Sequence, residues 1–118
     1  MLGGLEIDRY IAPIYRTAMT GEYPEFDGFE WDARNKEKNL KHNVHASECE
    51  QVFFNEPLLL LDDPKHSVAE DRFAAFGQTD QGRRLVVVYT RRGSLLRVIS
   101  ARDMNRKERE FYEHTTED

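Results

Sequence analysis

Five consecutive apolar residues, Leu85-Val86-Val87-Val88-Tyr89, lie between two turn signals, Thr79-Asp80-Gln81-Gly82 and Arg92-Gly93. A strand alternates its side chains between two faces, so a run that is apolar throughout buries both faces and marks a central strand. Such a strand needs neighbours. Leu58–Leu61, stopped by Asp62-Asp63-Pro64, reads as one. Glu70–Gln78 reads as another, with Glu70, Arg72, Ala74 and Phe76 on one face and Phe73, Ala75 and Gly77 on the other. Leu95–Arg102 follows the Arg92-Gly93 turn as a third. Gly82 supplies the positive φ that the first hairpin needs.

Before Pro57 the apolar spacing is helical instead. Phe29-Glu30-Trp31 alternates like a short strand after the Asp27-Gly28 turn. Asp32 then caps a helix to about Lys41, with Ala33, Glu37, Leu40 and Val44 along one side and Asn35, Lys38, Asn39 and His42 along the other. Ser47 is placed to cap a second helix carrying Cys49, Val52 and Phe53. Asn105, with Glu108 three residues on, forms a capping box for a C-terminal helix to about His114. Helices, an antiparallel run of strands and a last helix define an α+β fold, with the N-terminal helices packed on a central antiparallel sheet. Residues 1–28 stand apart. Pro13 interrupts Ile7, Tyr10, Ile11, Ile14 and Tyr15, and glycines and prolines punctuate the rest, so we expect a loosely held extension before a domain at 29–118.

With 118 residues there is room for one modest core and no second domain. Neither a membrane-spanning run nor a signal peptide is evident. A single cysteine, Cys49, excludes an internal disulfide and a multi-cysteine zinc site, and fits a core thiol in a reducing, cytoplasmic setting. The net charge of −5 hides a strong asymmetry. Residues 83–109 hold nine basic residues (Arg83, Arg84, Arg91, Arg92, Arg97, Arg102, Arg106, Lys107, Arg109) against two acids, while every other segment is acidic. A cationic block rich in arginine is a footprint for a polyanion such as RNA, and its alternative reading is a solvated face laced with salt bridges.

No phosphate-binding glycine loop, dinucleotide fingerprint or paired helical histidines around a glutamate occurs. His42 and His45 lack further partners at metal-ligand spacing, so we expect no metal and no cofactor. The remaining Arg, Lys, His and Glu side chains suit metal-free phosphodiester cleavage. A base takes the 2′-OH proton, the oxygen attacks phosphorus, cations stabilise the phosphorane and an acid protonates the 5′ oxygen. His42 suits either proton role. Glu70 is a candidate base beside Arg72, whose other reading is a salt bridge. On a regular strand Arg97 and Arg102 point to opposite faces, so either Arg102 lies past the strand's end or only one of the two is catalytic. Trp31 is expected as a core anchor, with base stacking as its rarer use.

The words Phe29-Glu30-Trp31-Asp32, Asn39, Lys41-His42 and Val44 resemble the opening of the BrnT family of ribonuclease toxins. Glu70-Asp71-Arg72-Phe73, Gly77, Gly82-Arg83, Leu85–Thr90, Arg97–Arg102, Glu108 and Tyr112 continue the likeness. The resemblance implies a RelE-like fold and a translation-blocking RNA endonuclease. It also implies neutralisation by a BrnA-like ribbon-helix-helix antitoxin, which alone contacts operator DNA. The active-site positions it carries over are Lys41, His42, Glu70, Arg72, Arg97 and Arg102. Arg83, Arg84, Arg91, Arg102 and Lys107 would then grip RNA, and homodimer formation stays open. The chain departs from the family by its extension and by one residue fewer between Asn39 and Lys41-His42. The rival functions are a non-catalytic RNA- or DNA-binding module and a metal-dependent hydrolase using His42, His45 and aspartates.

Overall fold

The computed structural model describes residues 16–17, 25–62 and 71–117. In chain order the elements are β1 (Arg16–Thr17), β2 (Gly28–Glu30), α1 (Ala33–Leu40), α2 (Ala46–Val52), β3 (Leu59–Asp62), β4 (Phe73–Gln78), β5 (Arg84–Arg92), β6 (Leu95–Asp103) and α3 (Arg106–Thr116). The fold is α+β. The sheet order is β1-β3-β4-β5-β6-β2, antiparallel throughout except where β2 joins β6 in parallel. No helix among the described residues is long and apolar enough to cross a membrane. Most of the expected extension, and Glu70 with it, lies outside the described residues.

β5 is the interior strand its composition demands. Leu85, Val87 and Tyr89 join one core layer under α2, with Val44, Cys49, Val52 and Phe53. Val86 joins the other under α3, with Phe76, Met104 and Tyr112. The sheet is therefore sandwiched by helices, and Phe29 and Glu30 on β2 fall to opposite faces by simple alternation. Gly77 permits the close approach of α2. A Cβ there would stand 2.9 Å from Val52 Cγ1 and 3.3 Å from the Val52 carbonyl.

Four local expectations are corrected. First, α1 buries its polar side: Asn39 is 0% and Asn35 4% exposed, whereas Leu40 is 50% exposed. The cause is the position of the helix beside β6 just beyond the end of β2, where strand carbonyls lack donors. Asn35 Nδ2 donates to the carbonyls of Glu30 and Val98, each at 3.0 Å, and Asn35 Oδ1 accepts the Asp32 N–H at 2.8 Å. Second, α2 starts two residues early, capped at His45 rather than Ser47, and Glu48 Oε1 accepts the His45 N–H at 3.0 Å. Third, β4 begins at Phe73, so Asp71 and Arg72 lead into the strand rather than sit within it.

The fourth correction concerns β6. Val88 pairs with Ser100 but Tyr89 pairs with Val98, which leaves Ile99 as an extra residue in a β-bulge. Alternation reverses across it. Leu96, Val98 and Ala101 all reach the α2-side core, so Arg97 and Arg102 share the opposite face. Asp32 caps α1, accepting from the Arg34 and Asn35 amides, and the Asn105–Glu108 capping box opens α3 as expected.

Candidate active site on the open sheet face

Arg92 and Arg97 lie at one end of the α3 side of the sheet, next to α1. A cleft of about 390 Å³ lies there, lined by Arg34, Asn35, Lys38, Arg72, Arg92, Arg97, Val98 and Ile99. Five cations from four elements or their flanks thus meet at one site: Arg34 and Lys38 from α1, Arg72 before β4, Arg92 from the end of β5 and Arg97 from β6.

Arg97 is largely buried, its side chain 13% exposed. It pairs with Glu30 at 3.1 Å and with Asp32 at 3.0 Å, and Arg92 approaches the same Glu30 oxygen at 3.6 Å. These contacts follow from register, because Glu30 lies opposite Arg97 in the parallel β2–β6 pair. The Arg97 hydrogen bond, aided by backbone N–H groups of Asn35 and Arg34, holds the Asp32 carboxyl below the usual range. The Asp32 bond in turn raises the Arg97 guanidinium, so Arg97 stays charged at any working pH. A desolvated, positioned guanidinium beside four further cations can accept a phosphate in place of the carboxylates.

The expected site residues divide into two groups. Arg72 and Arg97 come together in the cleft. Lys41 and His42 stand at the exposed C-terminal end of α1 and do not line it, although Lys41 continues the flank of Arg34 and Lys38. The helix ends at Leu40, with Lys41 as its C-cap. Arg102 shares the face of Arg97 but is held by Glu108 through bonds of 2.6 and 2.8 Å. Arg83 is forked between Asp103 and Glu48 and also donates to the Asn43 carbonyl. Arg84 pairs with Glu113 and lies 5.6 Å over the Tyr112 ring, and Arg91 donates to the Glu25 carbonyl. Lys107 is exposed on the first turn of α3.

Arg34, Lys38 and Arg92 escaped the reading of the sequence. The first two carried a signal, since cations four apart lie on one helix flank. Arg92 was counted in the cationic block and placed in a turn, but not assigned to the site. Trp31 is partly buried against the core and its indole N–H donates to Glu50 at 2.7 Å. Cys49 is fully buried and its thiol is pushed up to about 12 by burial and then by the nearby Glu48 and Glu50. Among the described residues no three His, Cys, Asp or Glu side chains are grouped to hold a metal ion.

Fold and site together define a small α+β domain with an arginine-lined cleft between α1 and the sheet, suited to a phosphodiester backbone. Residues 31–108 match the family described as the ribonuclease toxin, BrnT, of the type II toxin-antitoxin system, and the chain belongs to that family. No curated protein matches the chain.

Proposed function

We propose that the chain is a metal-independent RNA endonuclease that arrests translation, acting at the cleft around Arg97. The observation that carries the reading is the gathering of Arg34, Lys38, Arg72, Arg92 and Arg97 around an opening of about 390 Å³. In the proposed reaction a base, Glu70 or His42, takes the 2′-OH proton and the oxygen attacks the adjacent phosphorus. The bond from phosphorus to the 5′ oxygen breaks as an acid protonates that oxygen, leaving a 2′,3′-cyclic phosphate. Arg97 and Arg72 stabilise the charge that develops on the phosphorane, and Lys41 adds to the field at the edge. Arg34, Lys38 and Arg92 position the flanking phosphates. Lys107, exposed on α3, extends the track for RNA, whereas Arg83, Arg84 and Arg102 are held by carboxylates.

Membership of a type II toxin family supports a protein antitoxin as partner, and we propose that it is a BrnA-like ribbon-helix-helix protein that carries the complex to operator DNA. The same membership supports a RelE-like reading of the fold, a cytoplasmic site of action and a toxin domain beginning near residue 29. Incubation of purified protein with RNA in EDTA tests the chemistry. Cleavage should survive chelation, and Arg97→Ala should lower it by about 10²–10³-fold, the scale of one lost transition-state donor. A folded Arg97→Ala protein that cuts at the wild-type rate would sink the site, and binding without cleavage would favour a non-catalytic module.

A further inference from the structure

The α2 side of the same sheet edge carries a second concavity of opposite character. Its floor is Phe26, Phe29, Phe53 and Phe54, packed ring against ring with centroids 5.3–6.2 Å apart. Its rim carries Glu25, Asp27 and Glu50. The opening is about 790 Å³, and Phe54 is 68% exposed. Among the described residues Phe54 is the most exposed large hydrophobic side chain. Exposed aromatic clusters rimmed by charge mark protein-binding sites, because aromatic anchors supply contact area at low entropic cost.

We infer that this groove seats a segment of the antitoxin in which an aliphatic or aromatic anchor is flanked by lysine or arginine. The inference rests on the toxin–antitoxin reading above. The sign of the rim selects the occupant: three carboxylates around an apolar floor favour a basic, apolar segment and repel an acidic one. RNA is disfavoured for the same reason. The two sites are kept apart by the alternation of β2, with Phe29 in the groove and the neighbouring Glu30 in the cleft. A partner anchored at the groove therefore leaves the arginines uncovered, and inhibition requires a second part of it to reach around the β2 edge.

The test uses the full chain and the antitoxin encoded beside it, both purified. Phe54→Ala and the double variant Glu25→Lys/Asp27→Lys should each weaken the complex at least tenfold by calorimetry. Their RNA cleavage without antitoxin should stay within twofold of wild type, since neither touches the cleft. The charge-reversed variant should also lose the salt dependence of binding. Both variants binding within twofold of wild type would overturn the inference. Altered self-association of the variants in sedimentation, with antitoxin binding intact, would overturn it in favour of a second copy of this chain. A wild-type protein that cleaves RNA but forms no complex would remove the antitoxin reading itself and this inference with it.

Discussion

At the scale of single residues, Arg83 shows how the cationic block is divided between structure and function. Its guanidinium reaches Asp103 at 2.7 and 2.9 Å, Glu48 at 3.2 Å and the Asn43 carbonyl at 2.8 Å. It thus ties the end of β6 to α2 and the α1–α2 turn. The Arg83 hydrogen bond lowers the Asp103 carboxyl. For Glu48, burial works upward but the His45 amide and Arg83 together outweigh it, so that carboxyl is lowered as well. Groups lowered in the folded state bind fewer protons there than in the unfolded chain. Their contribution is present above the unfolded values of 3.8 and 4.5 and is lost as the pH falls below them. Arg83→Met should therefore lower stability at pH 7 and flatten its decline between about pH 5 and 3, measured by urea denaturation. A decline as steep as that of wild type would show that other carboxylates govern acid unfolding. The sequence could count these arginines but not apportion them, because Glu48, Glu108 and Glu113 reach them only through tertiary packing. Cys49 was legible, since a lone cysteine on an apolar stripe has few other uses.

The element that most changes the picture is β6, and the change comes from one residue. Arg97 and Arg102 are five positions apart, an odd spacing that separates them on a regular strand. The bulge at Ile99 reunites them on one face. Nothing in the sequence marks it, because Ile99 is an ordinary strand residue and the extra position exists only relative to β5. Deleting Ile99 should close the bulge while keeping the pairs Tyr89–Val98 and Val88–Ser100, so Ala101 stays in the core, Arg102 stays on the face of Arg97, and unfolding followed by circular dichroism stays cooperative. α1 was legible in extent but not in orientation: an amphipathic reading cannot know that its inner neighbour is an unpaired strand edge. Asn35 answers that edge, so Asn35→Ala should cost about 1–3 kcal/mol by leaving two carbonyls short of a donor. Asn35 also holds the Glu30 backbone, and the variant should lose RNA cleavage beyond its loss of stability. Wild-type cleavage by a destabilised Asn35→Ala protein would show that β2 does not position the cleft. On β4, Gly77→Ala should cost about 1–3 kcal/mol through the overpacked Val52 contact.

For the molecule as a whole, a chain of net charge −5 is asked to hold RNA. The segments were legible as an acidic frame around a basic block, but the cleft does not coincide with that block. Arg34, Lys38 and Arg72 come from acidic stretches, whereas Arg83, Arg84 and Arg102 inside the block are held by carboxylates. What RNA meets is set by distance, since exposed charges beyond the Debye length of about 8–10 Å are largely screened at physiological salt. The molecule spans 37 × 31 × 29 Å, so acids on the far side of the sheet count for little at the cleft. Affinity should therefore follow the number of cleft cations rather than the net charge. For a single strand the logarithm of affinity falls with the logarithm of salt at about −0.7 per neutralised phosphate, which gives roughly −3.5 if all five cations engage. Removing Arg34 or Lys38 should each bring the slope closer to zero by about 0.7, whereas Lys107→Ala, outside the cleft, should shift it less. Anisotropy with a non-cleavable 2′-O-methyl RNA across a salt series measures this directly. A slope near zero, or one unmoved by Arg34→Ala, would separate RNA binding from the cleft and return the five cations to a structural role.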